Sequence, residues 1–167
     1  MDMKSYDFYR DQIQQYVFDS FGRREAFKLG NYISEKAIRE NTPLAVHIEI
    51  NKETVYEFYN EGSTPVDREW IEKKIKCVHY FHKSSAAIFV QCEEKGRDPK
   101  KYYADKNIAA IPGACPIFVK DVGMIGSIGI SAYKDSFADH ELIIEGFDFL
   151  IKDKREKKGK DDGTDRI

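Results

Sequence analysis

The chain has 167 residues, 41% of them hydrophobic and 34% charged, with a formal net charge of -2; that length and apolar content fit one domain with a genuine core and exclude global disorder. So small a net charge provides no field of either sign, which argues against nucleic acid or an anionic membrane surface as partner. The first residues lack the apolar run of a secretory signal, and no stretch approaches the roughly 18 apolar residues that cross a bilayer, so the expectation is a cytoplasmic protein with no membrane partner. Cys77, Cys92 and Cys115 are three widely spaced cysteines. They fit neither a disulfide framework nor a zinc site and read as reduced thiols.

Arg23 to Asn41 carries Phe27, Ile33, Ala37 and Ile38 at helical spacing, and Asn41-Thr42-Pro43 stops it. Leu44 to Ile50 alternates with Leu44, Val46, Ile48 and Ile50 inward, then turns at Asn51-Lys52 into Thr54 to Tyr59, a β-hairpin. His47 and Glu49 fall on its polar face, where they read as exposed. Pro65 introduces a helix from about Asp67 in which Trp70, Ile71, Ile75, Cys77, Val78 and Phe81 share one arc. Lys74 lies inside that arc and His82 at its edge, with His79 on the opposite side. Ser84-Ser85 breaks the helix before a second short one over Ala86 to Glu94, and Asp98 to Ala104 reads as another with Pro99 in its first turn.

The period then changes. Cys115 to Lys120 and Met124 to Tyr133 read as strands joined by Asp121-Val122-Gly123, a second hairpin. Strict alternation sends Met124, Gly126, Ile128 and Ile130 one way and Ile125, Ser127, Gly129 and Ser131 the other, leaving one face nearly free of side chains. The Gly123, Gly126 and Gly129 series lacks the strand-glycine-helix order of a dinucleotide fingerprint, and a packed helix is the favoured occupant of the bare face over a ligand. A final helix opens at Asp135-Ser136, with Ser136 and Asp139 as a capping pair, and ends near Lys152. Residues 1–152 form the single domain. Residues 153–167 have no apolar residue before the terminal Ile167, and from Lys152 seven Lys or Arg face five Asp or Glu; they are expected to be a solvated, disordered tail. The elements give an α+β fold around an antiparallel sheet of about five strands flanked by helices.

In the last helix Asp139 and His140 share the apolar arc with Ile143, Ile144, Gly146, Phe147, Leu150 and Ile151. The carboxylate is favoured by the helix dipole, and the imidazole beside it could shuttle a proton or ligate. The plainer reading, and the preferred one, has Asp139 capping the helix and His140 making one buried hydrogen bond. Lys74 either snorkels or is aimed at an internal carboxylate, for which Asp139 is the candidate. Ser84-Ser85 lies in no Gly-x-Ser-x-Gly elbow, which disfavours a hydrolase.

Trp70-Ile71 with Lys73-Lys74, Phe81-x-x-Ser84-Ser85, Gly113-x-x-Pro116-Ile117, the Gly123 to Ser131 strand and Asp139-His140 together resemble the heme-degrading-domain family of GlcG-like and HbpS-like proteins, in particular a branch catalogued as an uncharacterised family. The resemblance spans roughly Arg23 to Leu150. It implies a profilin-like αβ sandwich, assembly into a homo-oligomer, and heme or a related tetrapyrrole as the small-molecule ligand. The implied site is a cleft bounded by the small-residue strand, the Trp70 helix and the Asp139-His140 corner, with candidate ligand-binding residues His140, Asp139, Lys74, His82, Trp70, Ser84 and Ser85. Where the family commonly has a His-Gly-Gly stretch, this chain reads Ile111-Pro112-Gly113-Ala114-Cys115-Pro116-Ile117. A histidine is missing there, and an exposed Cys115 could take its place as a thiolate ligand, although a buried strand position is the favoured reading. The alternative is a non-enzymatic oligomeric module in which Lys74, Asp139 and His140 form one structural network.

Overall fold

The computed structural model describes residues 3–164. In chain order the elements are α1 (Tyr6–Gln14), β1 (Val17–Phe18), α2 (Arg23–Arg39), β2 (Ala45–Ile50), β3 (Glu53–Tyr59), α3 (Pro65–Phe81), α4 (Ser85–Glu94), a 3-10 turn (Ala104–Lys106), β4 (Ala114–Val119), β5 (Gly123–Ser131) and α5 (Ser136–Thr164). The helices begin where the chain supplies caps. Ser5 Oγ accepts from Phe8 N–H at 3.2 Å, Glu25 reaches back to Gly22 N–H at 2.8 Å, Asp67 to Thr64 N–H at 2.8 Å, and Ser84 Oγ accepts from Ala87 N–H at 3.2 Å. Each satisfies a donor that the first turn leaves without an intrahelical partner.

The five strands form one sheet in the order β1-β4-β5-β2-β3. The two hairpins and the β2–β5 junction are antiparallel, and only the two-residue β1 runs parallel to its neighbour β4. Helices cover both faces. On one, α2 and α5 bury Leu29, Ile33, Ile143, Phe147 and Leu150 against Val46, Ile48, Ile117, Ile128 and Ile130. On the other, α3 sets Ile71, Ile75 and Val78 over Ala45, Ala114 and Met124. α1 and α4 close the flank beyond α3 through Tyr9, Ala86, Ala87 and Val90.

Gly129 carries the favoured reading of the glycine-rich strand. A Cβ there would stand 2.9 Å and 3.0 Å from carbons of Ile75 and Ile71, so a helix of the same chain occupies the bare face. Strict alternation fails at one point. A bulge between Ile117 and Phe118 in the β4–β5 pairing leaves Ile125 without an opposite number, so Met124 faces α3 and Ile125 the opposite core.

Several expectations are corrected. On α2 the buried stripe is Ala26, Leu29, Gly30, Ile33, Ser34 and Ala37, while Phe27 and Ile38 are 59% and 53% exposed; the stripe runs through small residues that hydrophobicity alone undercounts. Trp70 sits at the margin of the α3 arc and is 38% exposed. His47 and Glu49 do not face solvent, because α3 lies across their side of the sheet; Glu49 is buried and His47 half-buried. Asp98 to Ala104 forms turns, and only Ala104–Lys106 is helical. The cap of α5 is Asp135, which accepts from Phe137 N–H at 3.0 Å. The last helix does not end near Lys152 but continues to Thr164, so residues 153–164 are not a disordered tail, and the rest of the expected tail lies outside the described residues. Ion pairs take the place of apolar burial there: Asp153 meets Lys28 at 3.1 Å and Lys157 at 3.2 Å, and Lys154 meets Glu25 at 3.5 Å.

Replacing Gly129 by Val is expected to force the Ile71 and Ile75 side chains off their seats and destabilise the fold by about 1–3 kcal/mol, read as a lowered urea midpoint.

Candidate functional site

Asp139 and His140, neighbours in the first turn of α5, point into different surroundings. Asp139 Oδ1 accepts from the N–H groups of Ala132 and Tyr133 at 3.2 Å and 2.8 Å, which pins the loop entering the helix. Its Oδ2 accepts from Lys74 Nζ at 3.3 Å, and Nζ also donates to the carbonyl of Ile130 at 2.9 Å. The expected Lys74–Asp139 pairing is therefore present, and both side chains are buried. Gly113 makes room for the ammonium. Its φ of +121° is one that side-chain-bearing residues avoid, and a Cβ would lie 2.7 Å from Nζ. Burial pushes the Asp139 carboxyl up to about 6 against the pull of Lys74 and the two N–H groups, and burial likewise draws the Lys74 ammonium down.

His140 takes no part in that pair. Its Nε2 donates to Gln12 Oε1 of α1 at 2.8 Å, and its Nδ1 lies 3.7 Å from Cys115 Sγ, with the Tyr9 ring edge-on at 5.3 Å. With Nε2 protonated, Nδ1 is the acceptor for the Cys115 thiol, and the ring is neutral. Burial lowers its pKa to about 4, and burial pushes the Cys115 thiol well above its usual range. Cys115 is fully buried, as the favoured strand reading has it, and is no exposed thiolate.

The remaining sequence candidates are dispersed. Ser84 caps α4. Ser85 Oγ accepts from Ala114 N–H at 3.0 Å and donates to Ala114 carbonyl at 3.3 Å, tying α4 to β4. His82 is exposed, with a left-handed φ of 53° at the end of α3, and Trp70 lies under the Lys73 ammonium at 5.4 Å from the ring centre.

An open cleft of about 420 Å³ lies instead between α3 and the β2–β3 hairpin. Ile71 and Ile75, 1% and 7% exposed, lie at its back, Lys52, Arg68 and Lys76 are its cations with Glu72 among them, and His47, Glu49 and His79 form its interior. Glu49 is the hub. Its Oε1 accepts from Ser127 Oγ at 3.0 Å and from His79 Nε2, while His47 Nε2 stands 3.8 Å from Oε2. Burial opposes charge on Glu49, but His47, His79 and Ser127 beside it outweigh burial and hold the carboxyl far below its usual range. None of the candidate ligand-binding residues His140, Asp139, Lys74, His82, Trp70, Ser84 and Ser85 lines this cleft. His47-x-Glu49 on one strand face was the available signal; alternation assigned it to solvent because nothing local reveals a helix lying across it.

The five-stranded sheet between helical layers is the fold of HbpS, on whose crystal structure this chain superposes with a TM-score of 0.64 at 14% identity, covering 78% of this chain and 89% of the other. A family model described as haem degrading protein HbpS-like matches residues 21–148, and the chain belongs to that family. Among its relatives is a UPF0303 protein of Acidobacterium capsulatum, 30% identical over 131 residues that cover 77% of this chain and 79% of the relative. Among solved structures, Ybr137w superposes with a TM-score of 0.78 at 22% identity, covering 91% of each chain. A PduOC:heme complex superposes with a TM-score of 0.61 at 16% identity, covering 78% of this chain and 95% of the other. At those identities the structures establish the shared fold.

Lys74→Met leaves Asp139 buried without its cation and is expected to destabilise the protein by about 3–5 kcal/mol in urea unfolding, with a smaller loss when Asp139→Asn is added. His140 has a folded pKa of about 4 against an ordinary 6.5. Its contribution is therefore present above pH 6.5 and is lost as pH falls from there through 4, on the order of 3 kcal/mol in full. Unfolding midpoints measured between pH 7.5 and 4 should fall for the wild type and fall less for His140→Gln.

Proposed function

We propose that the chain binds heme or a related tetrapyrrole in the cleft between α3 and the β2–β3 hairpin, and does so as a homo-oligomer. The observation that carries this reading is the meeting, in one open cleft, of imidazoles and a cationic rim. A metalloporphyrin needs three things: a nitrogen donor for its metal, apolar contact for its ring and cations for its carboxylates. The volume of about 420 Å³ lies within the roughly 300–1,000 Å³ of ligand clefts. The nitrogen donors and the cations are present, but the apolar contact is not: Ile71 and Ile75 are 1% and 7% exposed and packed against Gly129. His79 and His47 would hold the metal, and Lys52 and Lys76, both exposed at the rim, the propionates, beside the carboxylates Glu49 and Glu72. Bound heme would supply an iron centre able to take up exogenous ligands and electrons; the chain would hold the ring, shield one face and neutralise its acids. Membership in a haem-degrading family and the fold shared with a heme-complexed protein support the same ligand. The homo-oligomer is carried over from the family resemblance.

Lys74, Asp139 and His140 we assign to architecture rather than to the ligand. They are buried, their polar atoms are engaged, and they split into two separate contacts, Lys74 with Asp139 and His140 with Gln12 and Cys115. That observation favours the structural half of the alternative reading, with two local networks in place of one.

Titration of hemin into the purified protein is expected to give a saturable red shift of the Soret band. The shift should survive His82→Ala and weaken at least about tenfold in His79→Ala. No saturable shift, or a shift indifferent to both His79→Ala and His47→Ala, would remove this cleft as the site.

A further inference from the structure

The cleft between α3 and the β2–β3 hairpin carries positive charge that its own carboxylates leave unmatched. We propose that it is a binding site for a compact, polar oxyanion with two negative charges, a small phosphate ester or dicarboxylate, held by the ammonium groups of Lys52 and Lys76. Such a ligand needs no apolar contact, so the inference goes beyond the tetrapyrrole reading and does not rest on it.

On α3 the polar residues that line the cleft, Arg68, Glu72, Lys76 and His79, follow one another at helical spacing and so form one stripe. Glu72 could pair with Lys76 one turn on, the favoured order of acid before base. Its Oε1 instead accepts from Arg68 Nε at 3.1 Å. The other carboxylates are engaged as well. Glu49 accepts from His79 and from Ser127 Oγ at 3.0 Å. Glu57, paired across the hairpin with His47, accepts from Tyr59 O–H at 2.7 Å, with Arg68 3.9 Å away. Lys52 and Lys76 are exposed, and among the described residues neither ammonium has a hydrogen bond or an ion pair. One cleft thus receives two unpartnered cations, one from the hairpin turn and one from the helix.

Lys52 also stands where turn geometry alone would not put a lysine. Asn51 and Lys52 join β2 to β3 with φ values of 52° and 65°. A two-residue hairpin turn of that kind favours Asn followed by Gly, because the left-handed backbone crowds a Cβ. Asn51 follows the rule and Lys52 departs from it, so the hairpin gives up backbone ease and gains an ammonium on the cleft lining. The rest of the lining sets the ligand's polarity. Ile71 and Ile75 are 1% and 7% exposed, so a ligand meets the side chains of Thr54, His47 and His79 and the charged groups rather than hydrocarbon. The planar fork of Arg68 is taken by Glu72, which leaves two lysines, point charges suited to phosphate or carboxylate oxygens.

The test titrates the full chain with inorganic phosphate and with malonate by calorimetry, against chloride at matched ionic strength, and with hemin in a separate series. At least one small anion is expected to bind saturably with a Kd of about 1 mM or tighter, and more weakly as salt rises. Lys52→Gly and Lys76→Gln should each weaken it about 3- to 10-fold. Lys100 is exposed outside the cleft, and Lys100→Gln should leave the affinity unchanged. Glycine suits the left-handed turn, so Lys52→Gly should lose affinity while its urea midpoint holds or rises. A midpoint that falls while affinity holds makes Lys52 a turn residue only and overturns the proposal. It is overturned equally if neither anion saturates, if both lysine variants bind as wild type does, or if Lys100→Gln weakens binding as much as they do. If hemin binds and neither small anion does, this inference fails and the tetrapyrrole reading stands. If a small anion binds with this lysine dependence and hemin does not, the reverse holds. Displacement of hemin by phosphate, with the same lysine dependence, would support the site and make a propionate a second source of its oxyanion.

Discussion

Gly129 lets Ile71 and Ile75 of α3 rest against the backbone of β5, and the cleft-bearing side of the molecule depends on that close approach. With α3 seated there, the outward face of β2 is no longer a solvent face. His47 and Glu49 become the floor of a cleft, and His79 comes down onto Glu49 from above. The same helix is held at a second point by Lys74, whose ammonium passes beside Gly113 to reach Asp139 and the Ile130 carbonyl. α3 is thereby tied to the sheet by apolar contact and to α5 by charge. The first contact sets its height and the second restrains rotation about its axis.

Two carboxylates show how differently burial can end. Asp139 has one ammonium and two backbone N–H groups, yet desolvation still raises its pKa, because Lys74 is as deeply buried and equally starved of water. Glu49 is nearer the surface and receives hydrogen bonds from Ser127 and His79, with His47 3.8 Å away, and these neighbours hold it ionised. A buried pair that is fully engaged and closed to solvent serves to fix packing. A charged group at the base of an open cleft, with an imidazole attached, can act on whatever enters. That contrast moves the functional weight from the Asp139-His140 corner to the Glu49 hub.

Much of the fold was legible in local pattern. The two hairpins follow from alternation bounded by turn residues, α3 from its apolar arc and Pro65, and the packing of a helix on Gly129 from a strand face without side chains. The Lys74–Asp139 pairing was legible too, since a cation inside one apolar arc needs an anion inside another. What escaped were features set by long-range neighbours. The bulge that reverses Met124 and Ile125 depends on how β4 pairs with β5, and the helical course of α5 beyond Lys152 depends on ion pairs to Lys28 and Glu25.

The sequence by itself determined the α+β class, the order of most elements and, through five short segments in register, membership in the HbpS-like family, because propensity, periodicity and motif spacing are properties of neighbouring residues. Only the tertiary structure decided which polar residues meet. Asp139 and His140 are adjacent in the chain, but successive helical positions differ by about 100° in direction, and so they face separate chambers. His47, Glu49, His79 and Ser127 are scattered over 81 positions of sequence. They form one cluster because α3 crosses the sheet; the bare face at Gly129 signals a helix there, but no local pattern says which polar residues it brings together.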